Sequence, residues 1–169
     1  SDLAADNGMA AAHYAMLDEA WDGDSDVFLQ RAMPVVRKLL ADAPADAEAA
    51  RAADWPLGPH QLILLSRCAS LIDTAPGWAD YESELRHCRE LAAHGGERNA
   101  QLALGLWFAR MDGVGKRQTK GIAAVNFKRA IRWLTLAGEQ GLAEAWFALS
   151  RIYLKPEFSQ RCVAEAQCY

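Results

Sequence analysis

The chain has 169 residues, of which 51% are hydrophobic, and this favours an ordered domain with a proper core over intrinsic disorder. Its net charge is −4 and it shows no recognition motif, so nucleic acid is not an expected partner. No apolar run reaches the roughly 20 residues that a membrane-spanning helix needs, so we expect no membrane insertion.

Residues 1–58 are expected to form an acidic helical region, because they hold 11 acidic and only four basic residues. Apolar residues at helical spacing predict a helix over 8–20. Asp24 to Asp26 offer N-caps to a second helix, which Pro34 is expected either to kink or to restart. Residues 41–53 predict a short polar helix. The region is either a set of divergent repeats or a separate cap.

After a break at residues 55–59, two helices are predicted over 60–72 and 78–94, and Gly95-Gly96 is expected to end the second. Cys68 and Cys88 fall on these two helices and could face each other. Two states are open for them: buried free thiols, which we favour, or a disulfide in an oxidising compartment.

The C-terminal part alternates between two kinds of predicted helix. The helix at 99–111 is apolar nearly all round, as an inner helix packed on both sides must be. A second inner helix is expected over 142–155. The helix at 121–138 has one polar face and is expected to be an outer helix. A further helix is predicted over 160–169, where the array ends in mid-repeat. This indicates either an unusual cap or a chain cut from a longer protein, and we favour the latter.

Basic residues are concentrated in one part of the chain. Residues 59–169 hold 11 acidic and 14 basic residues, and between Arg110 and Arg132 there are seven bases and one acid, Asp112. The cluster is either a solvated helix face and loop, the interpretation that we favour, or a basic patch for an acidic partner.

One pattern occurs twice at a spacing of 45 residues between residues 91 and 153. In both copies a helix ends at glycine and an apolar helix follows. The equivalent positions are Gly96 and Gly141, Ala100 and Ala145, Leu104 and Leu149, and Phe108 and Tyr153. A repeat of this length built from two helices indicates an α-solenoid. We therefore expect an all-α fold of eight or nine helices in antiparallel pairs that form a right-handed superhelix.

These residues resemble the Sel1-like repeat, a relative of the tetratricopeptide repeat. The resemblance lies in Ala100-Gln101-Leu102-Ala103-Leu104-Gly105, in the turn Asp112-Gly113-Val114-Gly115, and in the helix and exit from Ala130 to Gly141. It assigns residues 59–169 to Sel1-like repeats, with the best match over 92–153 and an incomplete C-terminal repeat. Gly105 and Ser150 would permit close helix crossing, Trp133 would fill the gap between repeats, and Gly141 would supply a left-handed cap.

The resemblance implies a protein-interaction module: an adaptor, regulator or inhibitor that holds another protein in a concave groove. Some family members resemble immunity proteins that neutralise secreted bacterial effectors. The alternative is a non-catalytic helical domain of a larger envelope or secretion-associated protein or enzyme. The resemblance also implies a bacterial protein, either periplasmic or cytoplasmic, with the periplasm favoured.

Enzymatic activity is not expected, and neither a cofactor nor a small-molecule substrate is implied. The four histidines are scattered and none lies in a metal-binding frame. His87 and Cys88 are adjacent, so on a helix they point about 100° apart and cannot act as a base and nucleophile pair. Asp22, Asp24 and Asp26 lack the glycine and glutamate of a calcium loop, which favours helix capping and predicts no metal site.

The core is expected to draw on both kinds of helix, whereas the binding groove is expected to be lined by the inner helices. Core positions are predicted to be Trp107, Phe108, Ala130, Leu134, Leu149 and Tyr153. Partner-binding residues, which lie off the packing stripe, are predicted to be Gln101, Leu102, Arg110, Trp146, Phe147 and Arg151. The alternative for Trp146 and Phe147 is packing against a following repeat.

Overall fold

The computed structural model describes residues 24–41, 59–72, 75–111 and 126–155, and within them all regular structure is helical. The prediction of an all-α fold is confirmed for these residues. The helices predicted over 8–20 and 160–169, and the polar helix over 41–53 beyond Ala41, lie outside the described ranges. The helices are α1 (Ser25–Ala41), α2 (Pro59–Ser70), a 3-10 helix (Pro76–Tyr81), α3 (Glu82–His94), α4 (Arg98–Phe108), α5 (Phe127–Glu139) and α6 (Ala143–Tyr153).

The chain divides into two compact units, residues 1–100 and 101–169, so the division falls within α4. The boundary that the sequence predicts near residue 58, between an acidic region and the repeats, stays a prediction. Among the described residues, no helix is long and apolar enough to cross a membrane.

In the first unit, α1 begins at the predicted cap and runs through Pro34 without restarting. The Asp24 side chain accepts a hydrogen bond from the Asp26 N–H at 2.8 Å. Pro34 is exposed, so its ring points away from the packed side of the helix. That side buries Phe28, Leu29, Ala32, Met33 and Val36. Burial of this apolar stripe compensates for the backbone hydrogen bond that a proline removes.

A surface ion pair joins α1 to α3. The Arg37 guanidinium donates to both carboxylate oxygens of Glu84, at 2.7 and 3.0 Å, and lies over the ring of Tyr81. The hydrogen bond and the charge of Glu84 raise the pKa of Arg37. Because Arg37 is exposed, the pair adds little to stability.

The carboxylate of Glu97 caps the start of α4. Its oxygens accept from the backbone N–H groups of Asn99 and Ala100 at 3.1 and 2.6 Å, and the Ser66 hydroxyl donates to it at 2.6 Å. Two otherwise unpaired N–H groups of the first turn are thereby satisfied, and the start of α4 is tied to α2.

Two helix ends share a cap with glycine in the left-handed region. Gly96 and Gly141 have φ of 100° and 97°. After α3 the N–H of Glu97 donates to the carbonyl of Ala92, and after α5 the N–H of Leu142 donates to that of Ala137. These bonds form the Schellman arrangement, which favours glycine at its left-handed position. The predicted glycine caps are confirmed.

In the second unit, α5 and α6 form a hairpin whose core also includes the end of α4. The buried residues are Ala109, Phe127, Ala130, Leu134, Ala137, Ala145, Ala148, Leu149 and Ile152. The Asn126 side chain caps α5 by accepting from the Arg129 N–H at 3.1 Å. Trp133, which the resemblance assigned to packing, is also buried.

Gly105 permits the close contact between α4 and α5. A Cβ at this position would lie 2.7 Å from Cγ of Leu134 and 3.1 Å from its backbone N. No side chain larger than hydrogen fits without displacement, so the predicted role of Gly105 in helix crossing is confirmed.

The core predictions divide into three outcomes. Ala130, Leu134 and Leu149 are buried as predicted, whereas Trp107 and Phe108 are only partly buried. The prediction for Tyr153 was wrong, because 53% of it is exposed. Its equivalent Phe108 packs against the core of the following hairpin, but Tyr153 is the last residue of the last described helix.

Candidate protein-binding surface

The six predicted partner-binding residues fall on two helices with different surroundings. Gln101 and Leu102 lie on α4, and Arg110 follows its end. Trp146, Phe147 and Arg151 lie on α6 and are exposed. The two sets therefore do not form one exposed surface. The helices that follow α4 pack against it within the same unit, whereas α6 is the last described helix.

Gln101 and Leu102 belong to the packing of α4. Gln101 is only 4% exposed, and its Oε1 accepts a hydrogen bond from Nε2 of Gln140 at 2.7 Å. Leu102 is partly buried against the core of the α5–α6 hairpin. Neither side chain offers more than a small area to a partner in this structure.

Arg110 occupies a strained position at the end of α4. It has a φ of 59°, and its N–H donates to the carbonyl of Trp107, so it stands where Gly96 and Gly141 stand in the other two caps. A non-glycine residue there costs about 1–2 kcal/mol. Its guanidinium lies 5.7 Å from the Trp107 ring centroid, and its Nη1 is buried with no hydrogen-bond partner among the described residues. This conformation directs Arg110 onto Trp107 and not into an open groove.

The exposed side of α6 is strongly apolar. We call this side the α6 surface; it consists of Trp146, Phe147, Ser150, Arg151, Tyr153 and Leu154. Phe147 is 66% exposed and Leu154 is 82% exposed. The opposite side of the helix buries Ala145, Ala148, Leu149 and Ile152. A contiguous group of large exposed apolar side chains on one helix is typical of an interaction site.

Trp146 is held in place by the backbone of α5. Its indole N–H donates to the carbonyl of Gly138 at 3.1 Å, and a Cβ at Gly138 would lie 2.5 to 2.8 Å from the ring. One side of the ring therefore covers Gly138, while 48% of the residue stays exposed. The ring is ordered before any partner arrives, so little side-chain entropy is lost on binding. The sequence predicted Trp146 to be a partner-binding residue but gave no sign that Gly138 supports its ring.

The second unit is positively charged. The described residues from 101 to 155 contain six basic side chains (Arg110, Lys128, Arg129, Arg132, Arg151 and Lys155) and two acidic ones (Glu139 and Glu144). Lys128, Arg129, Arg132 and Arg151 are exposed. This net charge of +4 contrasts with the −4 of the whole chain. An acidic ligand is attracted to such a unit.

The two cysteines of the first unit are buried free thiols in this structure. Burial raises the pKa of Cys68 to about 12. It raises that of Cys88 as well, and the nearby Cys68 adds to this effect. Buried free thiols are the state that the sequence favoured, and they are the state observed here. The disulfide stays a prediction for an oxidising compartment. A thiol with so high a pKa is a poor nucleophile at neutral pH.

We expect Cys68 and Cys88 to resist alkylation by iodoacetamide in the folded protein at pH 8, because both are buried and protonated. In denaturant both should react within minutes. Intact-mass spectrometry after timed quenching measures this, and peptide mapping separates these two sites from Cys162 and Cys168. Rapid labelling of Cys68 or Cys88 in native protein would show that α2 and α3 open readily.

The described residues contain no group of three or more His, Cys, Asp or Glu side chains placed to hold a metal ion. Comparison of the chain with family models, with curated proteins and with solved structures finds no match.

Proposed function

We propose that this chain is a protein-interaction module and that the α6 surface holds its protein partner. The observation that carries the proposal is the exposure of Trp146, Phe147 and Leu154 on one helix whose other side is buried in the core. Aromatic and arginine side chains are enriched among residues that dominate binding energy, and the surface contains Trp146 and Arg151. The indole is preorganised by its contact with Gly138.

We also propose that the chain is built from Sel1-like repeats and that these repeats form a right-handed solenoid. This proposal is supported by the environments of equivalent residues in the two copies. Gly96 and Gly141 adopt the same left-handed conformation, and Ala100, Ala145, Leu104 and Leu149 are all buried. Two copies that share a cap and a buried stripe are what a repeat array requires.

Within this class, we propose an adaptor, regulator or inhibitor, and an immunity-type inhibitor of a secreted bacterial effector is one such protein. The partner would be another protein, bound without enzymatic chemistry. We likewise propose a bacterial origin and a periplasmic location, both of which the resemblance favours.

A second candidate is a non-catalytic helical domain of a larger envelope or secretion-associated protein or enzyme. One observation favours it: the positions equivalent to Phe147 and Leu154 are Leu102 in α4 and Ala109 just after its end, and both pack against the helices that follow. In that case the α6 surface would carry the next structural element of the same chain and not a separate protein.

Replacing Phe147 with Ala is expected to weaken partner capture by roughly 2 kcal/mol, because a central aromatic anchor is lost. Its high exposure means that thermal stability should change little. Proteins retained by the tagged full chain are quantified by mass spectrometry, and the affinity of a retained protein is then measured with purified components. Trp146→Ala should also weaken capture, but it should lower thermal stability as well, because it removes the contact with Gly138.

The control is Ile63→Ala, which removes an apolar side chain that is 37% exposed from α2 in the first unit. It should leave capture unchanged. Retention of the same proteins, with the same affinity, by wild type and the Phe147 variant would place the binding site elsewhere. Loss of stability together with loss of capture would favour the second candidate.

A further inference from the structure

The α6 surface has an internal counterpart on α4, 45 residues earlier in the chain. Because both helices begin after the same glycine cap, equivalent positions point to equivalent sides. The equivalent pairs are Gln101 and Trp146, Leu102 and Phe147, Gly105 and Ser150, Leu106 and Arg151, and Ala109 and Leu154. What covers the first copy indicates what shape of ligand fits the second.

On α4 this side is covered by a helix. Gly105 lies directly against Leu134 of α5, and Ala109 is fully buried in the same core. Gln101 is hydrogen bonded to Gln140 just after α5 ends. Leu102 and Leu106 are partly buried against the same hairpin. This side of an inner helix thus accepts a second helix along its length.

The α6 surface differs from its counterpart in two ways that concern the ligand. Ser150 replaces Gly105, so a helix cannot approach the α6 backbone as closely as α5 approaches α4. The wider gap would be filled by the large side chains Trp146 and Phe147. Arg151 replaces Leu106, which puts a positive charge where α4 has an apolar contact. The ligand therefore needs both apolar and acidic side chains.

Charge favours an acidic partner helix over the α6 surface of a second copy of this chain. The described part of the second unit has a net charge of +4, and Arg151 and Lys155 lie in or just after the last turn of α6. Two such units would repel each other, whereas an acidic helix would be attracted. The only acidic residue on α6 is Glu144, at its opposite end.

We infer that the α6 surface receives an acidic amphipathic helix of a partner protein. Its apolar side chains contact Trp146, Phe147 and Leu154, and its carboxylates lie opposite Arg151 and Lys155. The inference rests on the proposed function and narrows it to one class of ligand, in the mode of a helix laid along an apolar surface.

Two peptides derived from α5 test this inference, because α5 is the helix that covers the equivalent side of α4. The first spans residues 126–140 and has a net charge of +2; the second has Lys128, Arg129 and Arg132 replaced by Glu, which gives −4. Both keep the apolar side of α5. Their affinity for the full chain is measured by fluorescence anisotropy at several salt concentrations. The acidic peptide should bind at least about tenfold more tightly at low salt, and the difference should shrink as salt screens the charges.

Variants of the full chain assign the binding to the α6 surface. Phe147→Ser should weaken both peptides, whereas Arg151→Glu should weaken the acidic peptide by about tenfold and spare the basic one. Ile63→Ala is the control and should change neither affinity. Binding that is insensitive to Phe147→Ser would mean that the peptides exchange with α5 itself, and this would overturn the inference.

The remaining outcomes separate this inference from the proposed function. Equal affinities for the two peptides would overturn the acidic ligand and leave the interaction module standing. No binding of either peptide would overturn helix docking, while Phe147-dependent capture of a purified partner would still support the module. Affinity that rises about tenfold when Val163 and Tyr169 are replaced by Ser would identify residues 160–169 as the occupant instead. A dimer that dissociates on adding the peptide would identify a second copy. Either result overturns the acidic partner.

Discussion

Leu134→Ala is expected to lower the free energy of unfolding by roughly 2–5 kcal/mol. Leu134 is fully buried among the apolar side chains of α4, α5 and α6, and its side chain lies against Gly105. The substitution removes three buried carbon atoms, so their apolar burial is lost and a cavity remains. The packed helices cannot move close enough together to fill this cavity completely. Chemical denaturation followed by circular dichroism gives the change.

Leu154→Ala is the matched control for this prediction. It makes the same chemical change on a neighbouring helix, but Leu154 is 82% exposed. Its effect should stay within about 0.5 kcal/mol. If both variants unfolded at the denaturant concentration of the wild type, Leu134 would not be a core residue. If both were equally destabilised, the α6 surface would be covered in solution.

Gly105→Val is expected to destabilise the second unit by overpacking, at a cost of roughly 1–3 kcal/mol. The new side chain would begin 2.7 Å from Cγ and 2.8 Å from Cδ2 of Leu134, and 3.1 Å from its backbone N. The leucine side chain can rotate away, but the backbone of α5 has to move. Thermal and chemical denaturation measure the loss.

Two comparisons isolate the contact from the change in helix propensity, which favours valine over glycine. Ser150→Val places valine at the equivalent, exposed position of α6, where no described helix crowds it. It should change stability little, because serine and valine have similar helix propensities and only the exposed hydrogen bond from the Ser150 hydroxyl to the Phe147 carbonyl is lost. In the Leu134→Ala background, Gly105→Val should cost less, because part of the crowding is gone. The expected coupling is about 0.5–3 kcal/mol. Strictly additive effects would show that the two residues do not compete for the same space.

The helices and their caps were predictable from the sequence because their causes are local. The glycine caps at Gly96 and Gly141, the Asp24 cap and the apolar stripe of α5 each depend on residues within a few positions of one another. The 3-10 helix at Pro76–Tyr81 was not predicted as a separate element. Its residues from position 78 onward fall within the helix predicted over 78–94, because both are short-range helical patterns.

The candidate surface was only partly predictable, because exposure depends on what lies beyond a helix. Trp146 and Phe147 were identified correctly as off the packing stripe, whereas Gln101 turned out to be buried beside Gln140. Gln101 and Trp146 occupy equivalent positions, so the repeat alone gives them the same expected role. The difference arises from the hairpin that follows α4, and periodicity within α4 contains no information about it.

The contact between Trp146 and Gly138 spans only eight residues of chain. The α5–α6 hairpin therefore closes with a small loss of chain entropy, and most of its buried contacts join residues that are close in sequence. Folds dominated by such local contacts reach the native state fastest, in microseconds to milliseconds. During synthesis, the hairpin can assemble as soon as Tyr153 has left the ribosome, without waiting for residues translated later.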